Sequence, residues 1–396
     1  MKNRRGNPPD PIQNSLFDSL PVEDPQADSA THPDSPQPSA EQTLLSILAL
    51  SQIKGVGFHS ICEIYDAGMA GKIWNLPIEQ AVEGISRLPA SRRFDLRLAR
   101  ETQAQLFDAA QSIVAKLSLE HIHFALAGDP NYPPSLLRLK TPPRWVFIRG
   151  DPACLQTTAI VGIIGTRKAT PAGLDLARQC AGELAKRNAV VLSGLARGID
   201  EQAHQGAVDI YGQSIAVLGY GLMLADPPHN ANVAEQIVKR QGVLVSEYLP
   251  YDIPAREHFL RRNELQAALS RVIIPVECPS LESGTGATIR RSLAIGTPVI
   301  GITPDTESNA SLQATRTNLE RLNLAVFRVR SKNSREFWDF LQGSIPNHDW
   351  SVNPAPRQQR LFYELSNDLG KFRESLGIDR DAVGRLAEYL VKCLDL

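Results

Sequence analysis

The chain has 396 residues, 42% of them apolar, with 42 Lys and Arg against 43 Asp and Glu for a formal charge of −1. That length accommodates two or three domains and at least one large core. The balanced charge excludes a globally basic protein, so any affinity for a polyanion has to reside in a local patch.

Five cysteines, Cys62, Cys154, Cys180, Cys278 and Cys393, are scattered with no CxxC spacing, which argues against a disulfide framework or a zinc site and fits a reducing compartment. No stretch approaches the ~18 uninterrupted apolar residues of a membrane span. The basic first residues are followed by no apolar signal-peptide core. A cytoplasmic location is expected, with no membrane contact.

In chain order, residues 1–40 carry eight prolines among many Asp, Gln, Ser and Asn and are expected to be disordered, because such a composition buries too little apolar surface to offset its ordering entropy. Residues 41–120 read as a small helical domain. Within it, a turn at Lys54-Gly55-Val56-Gly57 separates two helices, as in a helix-hairpin-helix or in an ordinary helical hairpin. WVFIRG (145–150) predicts a strand entering a new domain over 125–332. There, apolar strand candidates at 159–164, 189–193, 214–218, 243–246, 272–277, 299–303 and 325–329 alternate with helical stretches at 173–187, 200–211, 230–240, 262–270 and 286–295. This pattern predicts an α/β, doubly wound, mostly parallel Rossmann-like sheet. Residues 333–354 read as a polar linker. Residues 355–396 read as a short C-terminal helical region, a degenerate winged helix at most.

The chemistry concentrates where strands of such a sheet end. Gly165, Thr166 and Arg167 follow the first strand and offer a close backbone approach, a hydroxyl and a forked cation. Ser193, Gly194, Arg197 and Gly198 follow the second, with Asp200 placed to cap a helix whose free N–H groups attract an anion. Arg261, Arg262 and Asn263 precede strand 272–277, and Gly284 and Thr285 open a Gly/Thr-rich turn after it. Together these predict an anion-binding crevice. No Walker A motif, nucleophile elbow or metal-binding carboxylate cluster is present, so neither a catalytic residue nor a metal or cofactor is expected. Glu247, Glu277 and Glu282 are not visibly poised for acid/base work. His204 is expected to be structural.

On GTRKATPAGLDLA (165–177), SGLARGIDEQAHQGAV (193–208), FLRRNELQAALS (259–270) and SGTGATIRRSLAIG (283–296), the chain resembles the DNA-processing protein A family, also called Smf. The resemblance covers about 125–305. It implies a non-enzymatic protein that binds single-stranded DNA, usually as a homodimer, and assists a RecA-type recombinase in natural transformation or recombination. Arg167 answers to the arginine of the family's GSR motif, here GTR. Where the family has tyrosine-proline and RRNR, this chain has Asp226-Pro227 and Arg261-Arg262-Asn263-Glu264. The turn at 284–288 also resembles a wider superfamily of Rossmann-like nucleotide-binding domains, which implies the alternative of an enzyme or sensor for a small nucleotide.

Overall fold

The computed structural model describes residues 39–352 apart from 93, 225–229, 305–308 and 330–334, together with residue 385. The expectations for residues 1–38, for Asp226-Pro227 and for the tail beyond 352 therefore lie outside the described residues, residue 385 excepted.

Helix α1 (Ala40–Ser51) opens with a capping box in which the Gln42 amide N–H donates to Ser39 Oγ and the Ser39 amide N–H to Gln42 Oε1. The chain turns through Gly55, at φ 92°, into α2 (Phe58–Asp66). Helices α3 (Ile78–Ile85), α4 (Leu96–Glu101) and α5 (Gln103–Leu119) follow. Ile47, Leu48, Ile61, Ile113 and Leu117 of these helices share one core with Trp145, Phe147 and Leu244 of the sheet. The helical segment is thus built onto a sheet face rather than around a core of its own.

Strands β1 (Ile122–Leu126), β2 (Trp145–Gly150), β3 (Ile160–Gly165), β4 (Val190–Ser193), β5 (Ser214–Val217), β6 (Val243–Ser246) and β7 (Val272–Glu277) form a seven-stranded sheet in the order β1-β2-β6-β5-β4-β3-β7. The five strands from β6 to β7 are parallel, while β2 runs antiparallel to both of its neighbours, β1 and β6. Helices α6 (Pro171–Ala185), α7 (Ile199–Val208), α8 (Ala231–Lys239), α9 (Arg256–Leu269) and α10 (Gly284–Ala294) connect or follow the parallel strands. The apolar run of β3 is buried along both faces because α6 and α7 pack over Val161 and Ile163 while α9 packs over Ile160 on the other side.

The chain winds outward from β3 to β6 and then returns to β7 on the other side of β3. The reversal opens a crevice at the carboxyl ends of β3, β4 and β7.

The structure differs from expectation in three places. A strand at 122–126 was not anticipated, and the predicted strands near 299–303 and 325–329 form a separate parallel pair, β8 (Gly301–Pro304) and β9 (Val326–Val329), linked to β7 by one bridge between Ile273 and Val299. Helix α11 (Ala310–Arg321) joins that pair. The expected polar linker contains α12 (Arg335–Ser344), whose Phe337 and Leu341 bury with Trp350 against the α6 side of the domain core. Its apolar residues recur at helical spacing and outweigh the polar average of the segment.

Candidate functional site

At the crevice, Gly165, Thr166, Arg167, Lys168, Ala196 and Asp200 face Phe259, Arg262, Asn263, Gln266, Ser283, Gly284, Thr285 and Thr288 around a cavity of about 420 Å³. Seven of the residues expected from the sequence therefore meet: Gly165, Thr166, Arg167, Arg262, Asn263, Gly284 and Thr285.

Their scaffold is polar and buried. Arg262 is 5% exposed, and its Nη1 lies 3.8 Å from Oδ2 of Asp200, itself 6% exposed. With its amide oriented to match its neighbours, Gln266 accepts from Arg262 Nη1 (3.1 Å) and from the Gly194 amide (3.0 Å) and donates to Asn263 Oδ1 (3.3 Å). Asn263 Nδ2 donates to the Gly284 carbonyl (3.3 Å), tying α9 to the start of α10. Burial pushes the Asp200 carboxyl up from its ordinary value and the Arg262 guanidinium down, each opposed by the charge of the other.

Arg167 and Lys168, by contrast, are exposed and form no ion pair with another described residue. The Arg167 guanidinium lies 5.5 Å from the Phe259 ring centre and that of Arg262 5.9 Å from it, so two cations share one aromatic ring.

The glycines serve the approach of one loop to another. Gly198 has φ 88°, and a Cβ there would lie 2.6 Å from the Thr166 carbonyl oxygen. A Cβ on Gly194 would collide with the Arg262 guanidinium. Neither glycine lines the crevice. Gly198, not Asp200, is the N-cap of α7; Asp200 sits in the first turn and accepts from the backbone of Ala196.

Leu195 between them has a left-handed φ of 55°, unusual for a branched side chain. Its amide donates to His204 Nε2 (3.3 Å), and its carbonyl accepts from Asn230 Nδ2. His204 Nδ1 then donates to Ser214 Oγ (2.8 Å), whose hydroxyl donates to the Val191 carbonyl (2.7 Å). Burial drops the His204 pKa to about 3, in keeping with a neutral structural ring.

Three of the expected contacts fall elsewhere. Ser193 is fully buried and donates to the Ile163 carbonyl (2.6 Å), so its hydroxyl is not offered to a ligand. Arg197 is exposed beside the crevice but does not line it. Arg261 turns away altogether, bonding to Glu247 (3.0 Å), Glu264 (2.7 Å) and the Thr141 carbonyl (2.7 Å). Neighbours on a helix point about 100° apart, so Arg261 and Arg262 cannot share one face. Glu264 also pairs with Arg291 (3.1 Å), so the acidic residue in this motif adds no charge to the crevice.

Thr288 of the Gly/Thr-rich turn also lines the crevice, whereas Lys168, Phe259, Gln266 and Ser283 were missed. Lys168, Phe259 and Ser283 stood beside expected residues, and Gln266 follows from Asn263 and Arg262 at helical spacings of three and four. Glu277 is buried and accepts from the Thr170 amide (2.9 Å) and hydroxyl (3.0 Å), fixing the start of α6 rather than facing the crevice.

A family model described as DNA recombination-mediator protein A matches residues 123–327, which hold every strand and loop of this crevice. The chain belongs to that family. It is 34% identical to the Escherichia coli Protein Smf over 206 residues, half of this chain and 54% of that protein. To the Synechocystis Protein Smf it is 37% identical over 159 residues, 39% of this chain and 40% of that protein. The chain thus spans about half the length, or less, of these relatives. The solved structure of DNA processing protein A from Streptococcus pneumoniae shares the fold, with a TM-score of 0.52 at 24% identity, covering 72% of this chain and 94% of that one. Among the described residues, no helix is long and apolar enough to cross a membrane.

Proposed function

We propose that this member of the DNA recombination-mediator protein A family binds single-stranded DNA in the crevice without making or breaking covalent bonds. The observation that carries this reading is Arg167: exposed, without an ionic partner among the described residues, and set beside an aromatic ring at the mouth of a preformed polar cleft. Consecutive phosphates would meet Arg167, Lys168 and the N-terminus of α10, with Arg262 behind them. The bases would stay largely unread, as in other sequence-tolerant single-strand binders.

On this reading the domain over 125–332 carries the binding, and pairing of two copies raises affinity by effective concentration. The bound strand is then presented to a RecA-type recombinase, a role in keeping with the family's description.

A cleft of about 420 Å³ walled by Ser283, Gly284, Thr285 and Thr288 also has the size of a small-ligand site. This favours a mononucleotide as the second reading. Fluorescence-anisotropy titration with labelled single-stranded and duplex DNA, at several salt concentrations and with mononucleotide competitors, separates the two. Salt-sensitive preference for the single strand, undisturbed by mononucleotides, is the expected result. Absence of oligonucleotide binding, or displacement by a low concentration of one mononucleotide, would reassign the crevice.

A further inference from the structure

Three of the large apolar side chains most exposed among the described residues fall within ten positions of one another: Tyr251 (43%), Ile253 (72%) and Leu260 (39%). They lie on the loop after β6 and the first turns of α9, beside the crevice-lining Phe259. The strand that ends in this loop is two places from β4 in the sheet. At about 4.8 Å per strand, the loop stands about 10 Å from the crevice along the same carboxyl edge.

The loop is held firmly. The Gly221 amide donates to the Asp252 carbonyl (2.9 Å), the Met223 amide to the Pro250 carbonyl (2.9 Å), and the Leu249 amide to Asp252 Oδ2 (2.9 Å). Tyr251 makes no ring contact with another described residue, whereas nearby Tyr248 is buried and stacked on His258 at 3.9 Å. The Tyr251 ring also borders a second cleft, of about 600 Å³, between this loop and helices α1 and α5. Leu48, Ile113 and Leu249 give that cleft an apolar floor, and Gln52 and the exposed Lys116 give it a polar rim.

We propose that the single strand continues from the crevice past Ile253 and Leu260 to this second cleft, where a base stacks on Tyr251 and Lys116 meets the backbone. The inference rests on the reading of the crevice given above. Its occupant follows from continuity with that crevice and from the pairing of a half-exposed ring with the exposed Lys116 in the lining of the same cleft. That combination is the general recipe for holding single-stranded nucleic acid.

The test compares labelled oligothymidylates of about 4 and about 16 nucleotides on the full chain. Tyr251→Ala is expected to weaken the long oligonucleotide about tenfold and leave the short one unchanged. Tyr251→Trp is expected to restore long-oligonucleotide binding, with an added indole emission that only the long strand quenches. Equal affinity of Tyr251→Ala and the unsubstituted chain for the long strand would overturn the extended path, as would equal weakening of both lengths. Failure of the unsubstituted chain to bind either length would remove the crevice reading and this path together.

Discussion

Arg262 and Asp200 approach to 3.8 Å inside the crevice wall, both almost wholly removed from water. The pair joins α9 to the first turn of α7 and so fixes the loops on either side of the cleft. Truncating one partner strands the charge of the other. Arg262→Ala is expected to destabilise the fold by about 3–5 kcal/mol in chemical denaturation, and Asp200→Asn by a similar amount. In a double-mutant cycle, the combined loss should be clearly smaller than the sum.

Arg167 should behave in the opposite way. Arg167→Ala is expected to leave the thermal midpoint where it is and to weaken single-stranded DNA about tenfold whatever its sequence. The slope of log K against log salt should become shallower by about 0.7, the change for one lost phosphate contact on a single strand. Unchanged binding of several unrelated oligonucleotides would move the site away from this loop.

Arg261, one residue from Arg262, offers a control. Its removal leaves Glu247, which is 4% exposed, without its cation. Arg261→Ala is therefore expected to cost about 3–5 kcal/mol in urea unfolding while the protein that remains folded keeps its DNA affinity. A large loss of affinity in folded protein would return Arg261 to the crevice.

The buried His204 ring makes the fold sensitive to acid. Its folded pKa of about 3 lies below the ordinary value of 6.5. Between those limits the unfolded chain binds a proton that the folded chain does not, so this residue's contribution is full above pH 6.5 and declines as the pH falls towards 3. Unfolding free energies measured from pH 7 to pH 4 should fall, and His204→Gln should flatten the slope by up to one proton.

Gly198 combines a positive φ with close approach to Thr166. Gly198→Ala is expected to destabilise by about 1–3 kcal/mol and to weaken DNA binding through the displaced loop. Gly57→Ala, where φ is −106° and a Cβ meets open space, should do neither. Paired melting curves and titrations decide it.

Much of this was legible in the sequence because parallel strands buried on both faces read as unbroken apolar runs. VVLS, VLVS and VIIPVE could be placed to within a residue or two, and the glycine loops followed from them. β1 escaped because IHFAL is a short antiparallel edge strand whose burial does not follow a clean alternation, directly after a long helix. Helix α12 escaped because Phe337 and Leu341 sit among polar neighbours that dominated the average. Arg261 was placed wrongly for a different reason. Composition supplies two adjacent arginines, but the phase of α9, set by how Leu265, Ala268 and Leu269 bury, decides which one faces the crevice. Nor does a net charge of −1 reveal that Arg167 and Lys168 stand together and unpaired among the described residues.

The clamp on Leu195, whose amide is held by His204 and whose carbonyl is held by Asn230, gives the loop its shape before any strand arrives. A cradle that need not fold around its guest has no folding step to reverse when the guest leaves. On the proposed reading, a bound strand would peel away one phosphate at a time, leaving one end free while the other is still gripped.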